Sequence, residues 1–152
     1  MAEAYANAAA GGALHAESAG LLPRDADAMA LKVMKEDGIE LGDASSDSLR
    51  RLREKGRRYD YVICVGEREL ASRCPVFPGN PRHLFWPFPD PRAFSGSRSE
   101  KLEKFRRLRD QIKSRVSEWV ECVGKGLCPA EKVIPFQPLP AGGGDEKQFT
   151  LR

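Results

Sequence analysis

Apolar residues recur every three or four positions between Ser97 and about Val123, at Leu102, Phe105, Leu108, Ile112, Val116, Trp119 and Val123. That spacing predicts one long amphipathic helix laid on a core. A different pattern runs through "YDYVICVG" (59–66), an almost continuous apolar stretch of β-branched and aromatic residues. It predicts a strand buried on both faces. "RHLFWPF" supplies a second, shorter strand. Upstream, the alanine-rich residues 1–10 predict a helix ended by Gly11-Gly12, and "ALHAES" (13–18) reads as a short strand. Asp25 or Asp27 caps a helix carrying Met29, Leu31, Val33 and Met34, which Gly38 stops. "SSDSLRRLREKG" (45–56) predicts another helix, with a Ser/Asp start and a glycine end. Strands alternating with helices predict an α/β fold with a mainly parallel sheet. Beyond Val123 the Pro- and Gly-rich sequence loses all period. Residues 1–123 therefore read as one domain and 124–152 as a flexible tail.

Composition narrows the classes. A chain of 152 residues, 41% apolar and 31% charged, suits a single soluble globular domain. No apolar run approaches the roughly 20 residues of a membrane span. The N-terminus has neither the basic region nor the apolar block of a secretion signal, so a cytoplasmic location is expected. A net charge of +3 is too weak to suggest nucleic acid, and the basic clusters "RRLREKGRR" and "KFRRLRD" carry interspersed acids, as solvated helix faces do. Neither nucleic acid nor a membrane is an expected partner. Four cysteines (Cys64, Cys74, Cys122 and Cys128) without an export signal point to reduced thiols or redox chemistry rather than a structural disulfide framework. With no C-x-x-C pair and only two histidines, no metal site and no cofactor are expected.

Candidate chemistry centres on "FWPFPDPRAF". Pro87, Pro89 and Pro91 fix φ and remove backbone donors, which predicts a stiff, extended loop rather than helix. Such a loop holds a side chain in one place, and the side chain between its last two prolines is Asp90. In a parallel sheet the ligand site lies beyond the carboxyl ends of the strands. The loops that follow 59–66 and 83–88 leave such ends, which places Cys74 and Asp90 on one rim. Trp86 and Phe88 have two readings, as walls of an anion pocket or as core.

The blocks "MAEAYA", "ESAG", "VMKEDGIEL", "YDYVICV", "CPVFPG", "WPFPDP" and "EKLEKFRRLRDQI" together resemble the low-molecular-weight protein tyrosine phosphatase family. "CPVFPGNPRHLFWPFPDP" leans towards its thiol-coupled arsenate reductases. The resemblance covers about residues 1 to 120 and implies a three-layer α/β fold around a four-stranded parallel sheet in the order 2-1-3-4. It implies that Asp90, followed by Pro91, is a general acid, a role that needs a donor fixed at hydrogen-bond reach of the leaving oxygen. It makes Cys74 the second of two cysteines that pass oxidising equivalents outward. The first has no clean counterpart: the family places it where this chain has Gly66, and Cys64 lies two residues earlier, on the same strand face but deeper, where a core cysteine is the other reading. Cys122 and Cys128 match nothing in the family, although an exposed tail thiol could serve as a resolving cysteine.

The family's nucleophile is a cysteine in a Cys-x5-Arg loop between the first strand and the first helix, where backbone N–H groups cradle an oxyanion. Here the sixth residue after Cys64 is Leu70, after Cys74 Asn80, after Cys122 Cys128 and after Cys128 Ile134, so the motif is absent. "MAEAYA" matches the helix that follows that loop, so the expectation is a chain that starts just downstream of its nucleophile, through a start assigned too late or a shortened gene. The family's central first strand would then be missing, and "EKVIPF" (131–136), interrupted by Pro135, is a poor substitute. The functional expectation is an arsenate reductase-like protein that reduces arsenate by cysteine thiol chemistry, without turnover in these residues alone. The alternatives are a phosphomonoester hydrolase of the tyrosine phosphatase type and a non-catalytic binding protein. Implied partners are an oxyanion substrate and thioredoxin or another thiol reductant.

Overall fold

The computed structural model describes residues 1–20, 26–41, 47–66, 76–126 and 149–151. The chain divides into two compact units: Met1–Ala16 with Asp25–Ala44 and Phe88–Pro129, and Glu17–Arg24 with Ser45–Pro87 and Ala130–Arg152.

The first unit is built from three helices, α1 (Ala2–Ala10), α2 (Ala28–Glu36) and α4 (Arg98–Gly124). The apolar stripe of α4 buries Phe105, Leu108, Ile112, Val116 and Trp119, as its period predicts. A capping box fixes where α4 starts: the Ser97 hydroxyl accepts from the Glu100 N–H, and the Glu100 carboxylate accepts from the Ser97 N–H at 2.7 Å. The α2 helix is capped by Asp27, whose Oδ1 accepts from the Met29 N–H at 2.7 Å; the other expected cap, Asp25, lies outside the described residues. Gly38, at φ 77°, ends α2 in a left-handed turn, with Gly38 N–H bonded to Lys35 O and Ile39 N–H to Met34 O, both at 3.0 Å. Both α1 and α2 pack against α4.

Polar ties join the same three helices. Asp37 accepts from the Tyr5 hydroxyl at 2.8 Å and from Lys113 Nζ at 2.9 and 2.8 Å. Those two donors hold the Asp37 carboxyl below its usual range, Lys113 contributing most and then Tyr5. The stabilisation they supply is complete above the ordinary carboxylate value of 3.8 and is lost as pH falls through the lowered folded value. Asp37→Asn is therefore expected to cost on the order of 1 kcal/mol at neutral pH. Urea melts from pH 7 to 2 should show the variant and the parent converging below pH 4, and a constant gap would exclude this linkage.

The second unit holds the sheet: β1 (Ser18–Gly20), β2 (Asp47–Ser48), β3 (Tyr61–Gly66), β4 (Arg82–Pro87) and β5 (Phe149–Leu151), with the short helix α3 (Leu49–Glu54). The strand order is β2-β1-β5-β3-β4. The pairs β1–β2 and β3–β4 are parallel, as the α/β reading expects. Ala19, Leu49, Leu52, Tyr59, Val62, Cys64 and Phe77 form one buried cluster, with Phe85 packed against it. The Tyr59 and Phe77 rings meet edge to face at 4.8 Å, and Glu17 accepts from the Tyr59 hydroxyl at 3.1 Å and pairs with Arg57.

Three sequence expectations shift. The strand expected at 13–18 falls at Ser18–Gly20, because pairing with β2 and β5, rather than local propensity, sets its position. The helix expected over 45–56 is shorter, Leu49–Glu54, because Asp47-Ser48 are drawn into pairing with β1 and Ser48 becomes the cap. The slot between β1 and β3, which the missing first strand was expected to leave open, holds β5, antiparallel to both neighbours. That strand comes from the stretch read as tail, whereas 131–136 lies outside the described residues.

Candidate functional site

Asp90 stands three residues past β4 in the chain, and its surroundings are local. Its backbone is extended, and Pro91 starts a single 3-10 turn, Pro91–Ala93. This corrects the expectation that the prolines exclude helix: proline is tolerated at the first helical position, whose N–H would be unbonded anyway. Asp90 caps the turn, its Oδ1 accepting from the Arg92 N–H at 3.0 Å while its own carbonyl accepts from the Ala93 N–H at 3.0 Å. The turn is anchored downstream, where Phe94 meets Phe105 of α4 edge to face at 5.5 Å and Lys104 Nζ donates to the Ser95 carbonyl at 2.8 Å.

Arg92 is the residue that sequence reasoning missed. Its Nε donates to Asp90 Oδ1 at 2.8 Å and its second terminal nitrogen to Oδ2, so one guanidinium spans both carboxylate oxygens. The signal was present in "DPR", since the second residue after an Asp cap lies within its reach. With Asp90 28% and Arg92 44% exposed, the pair is a solvent-facing one that opens at small cost.

Cys64 occupies the middle of β3, is 2% exposed and forms part of the second unit's buried cluster. It takes part in a disulfide. Opposite it stand Phe85 on β4 and Thr150 on β5. Cys122, the free cysteine among the described residues, lies half-buried in the last turn of α4. Cys74 and Cys128 lie outside the described residues, and with Cys74 goes the expected common rim with Asp90. Two residues beyond Cys74, Val76 is 53% exposed and borders an open groove lined by Leu49, Arg50, Arg53, Phe77 and Pro78. Trp86 is 1% exposed, which makes it core, and Phe88 is half-buried. Among the described residues no group of three or more His, Cys, Asp or Glu is placed to hold a metal ion. No described helix is long and apolar enough to cross a membrane.

Comparison with known proteins gives a family and several relatives. The family described as low molecular weight phosphotyrosine protein phosphatase matches residues 1–127. A protein named arsenate reductase from Halalkalibacterium halodurans is 32% identical over 121 residues, covering 80% of this chain and 85% of that protein. One of the same name from Bacillus subtilis is 31% identical over 121 residues, with the same coverage of 80% and 85%. A third, from Shouchella clausii, is 30% identical over 104 residues, covering 68% of this chain and 73% of its own.

Proposed function

We infer the function from one premise: the chain belongs to the low molecular weight phosphotyrosine protein phosphatase family. The reading it supports best is an arsenate reductase-like protein that works by cysteine thiol chemistry on an oxyanion in the cytoplasm. Its relatives carry the arsenate reductase name. The observation that supports reduction over hydrolysis is the disulfide at Cys64. Arsenate gains two electrons from two thiols, yielding arsenite, one disulfide and one water, whereas hydrolysis of a phosphomonoester leaves every thiol as it began. A pair of thiols able to close a disulfide is what the first process needs and the second does not.

In this reading Cys64 and Cys74 carry the oxidising equivalents and Asp90 supplies the proton that leaves with the departing oxygen. Thioredoxin or another thiol reductant then reopens the disulfide, and the exposed Val76 beside Cys74 in sequence gives it an apolar surface to meet. The thiolate that first attacks arsenic is assigned to none of the four cysteines, since none begins a Cys-x5-Arg loop. The family's own description favours phosphomonoester hydrolysis as the second reading, with Asp90 as acid and then base.

One assay addresses both. The 152-residue chain, reduced and freed of reductant, is mixed with arsenate while thiols are counted, and in parallel with p-nitrophenyl phosphate. Without a Cys-x5-Arg loop, neither reaction is expected above the protein-free blank. Arsenate-dependent loss of two thiols per arsenite would show that one of these cysteines attacks arsenic directly. Release of p-nitrophenol would favour hydrolysis.

A further inference from the structure

The centre of the sheet is filled by one of its shorter strands. The strand β5 contributes three residues, and the register runs Ser18–Leu151, Ala19–Thr150 and Gly20–Phe149 on one side, Ile63–Leu151, Cys64–Thr150 and Val65–Phe149 on the other. The residues it borders are deeply buried: Ala19 is 0%, Ile63 1% and Cys64 2% exposed. Backbone N–H and C=O groups at such positions must be paired, so the slot between β1 and β3 does not tolerate vacancy. Yet β5 pairs with only half of β3, leaving Tyr61, Val62 and Gly66 outside its register. Residues 125–148 separate β5 from the end of α4, and a stretch of that length can span up to about 80 Å when extended.

We propose that the slot between β1 and β3 is a strand-receptor site that accepts β5 of a second copy as it accepts its own, so that two chains exchange their last strands. The recognition is backbone pairing, which an identical strand from any copy satisfies equally. The closed interface is the same in the monomer and the exchanged dimer, and only the connecting residues differ. A tethered strand acts at an effective concentration of about millimolar, so a chain's own β5 wins in dilute solution and the neighbour's competes near that concentration. Three register pairs on each side are few to break, which lets the strands trade.

The test mixes nitrogen-15-labelled and unlabelled full-length chains, refolds them together near millimolar concentration and reads native mass after dilution. A mixed-isotope species at twice the 16.8 kDa of one chain is expected. A free peptide with the sequence of residues 145–152, present in roughly tenfold excess during refolding, should lower the dimer fraction about tenfold by mass action and yield monomers carrying one peptide. Thr150→Pro, which removes a ladder donor at the central register position, should abolish the mixed dimer. If that variant fails to fold, the peptide arm on the unaltered chain decides alone. Monomer at every concentration with no bound peptide would overturn the proposal. So would a dimer that neither the peptide nor Thr150→Pro diminishes.

Discussion

Asp90→Asn is expected to lower arsenate turnover by roughly 10²- to 10⁴-fold, the range that a positioned general acid supplies. The experiment is run on a form of the protein that turns over arsenate. Asparagine is the informative substitution because its side-chain oxygen still accepts from the Arg92 N–H, so the 3-10 turn keeps its cap while the transferable proton is gone. Stability should hardly move: the ion pair that is lost faces solvent and is worth at most about 1 kcal/mol. Arg92→Ala serves as the companion. If Arg92 only parks the carboxylate between turnovers, freeing it changes kcat by at most about fivefold, the equivalent of that same 1 kcal/mol. A kcat for Asp90→Asn within threefold of the parent would remove Asp90 from the chemistry and leave it as the cap of a turn. An equal loss in both variants would make the pair a binding element for the oxyanion.

How much of this could be read from the chain depended on whether each feature is set locally. The α4 stripe, the caps at Asp27 and Ser97 and the apolar run of β3 are fixed by residues within a few positions of one another, and each lies where the sequence puts it. The sheet's centre is another matter. Three residues, "FTL", are too few to show a period, and β5 forms where two edges far away in sequence, at Ser18–Gly20 and Ile63–Val65, take it as a partner. The same non-local demand moved β1 and created β2 from two residues. At the candidate site the prolines made Asp90 legible, and they obscured the turn it caps because proline's exclusion from helices does not extend to the first position. Cys64 was placed on β3 correctly, but whether a strand cysteine is core or redox partner is a question of pairing in three dimensions. Spacing along the chain carries no information on it.

Trp86→Ala is expected to destabilise the protein by about 3–5 kcal/mol, the range for emptying a buried tryptophan site. The sequence allowed Trp86 two roles, wall of an anion pocket or part of the core, and at 1% exposure its side chain has no surface to offer a ligand. It belongs to β4, opposite Val65 of β3, so the cavity would open beside the longest pairing in the sheet. With the overall stability of a domain at about 5–15 kcal/mol, a loss of that size consumes about a fifth of the total or more. At a urea slope of about 1–3 kcal/mol per molar, the midpoint should fall by at least 1 M. Trp86→Phe keeps an aromatic ring in the site and should cost less, because part of the volume stays filled. The contrast with a pocket wall is sharp, since a wall residue would change ligand affinity and leave the urea midpoint nearly still. A midpoint for Trp86→Ala within about 0.3 M of the parent, at an unchanged slope, would mean that the indole does not hold the sheet together and that its burial needs another explanation.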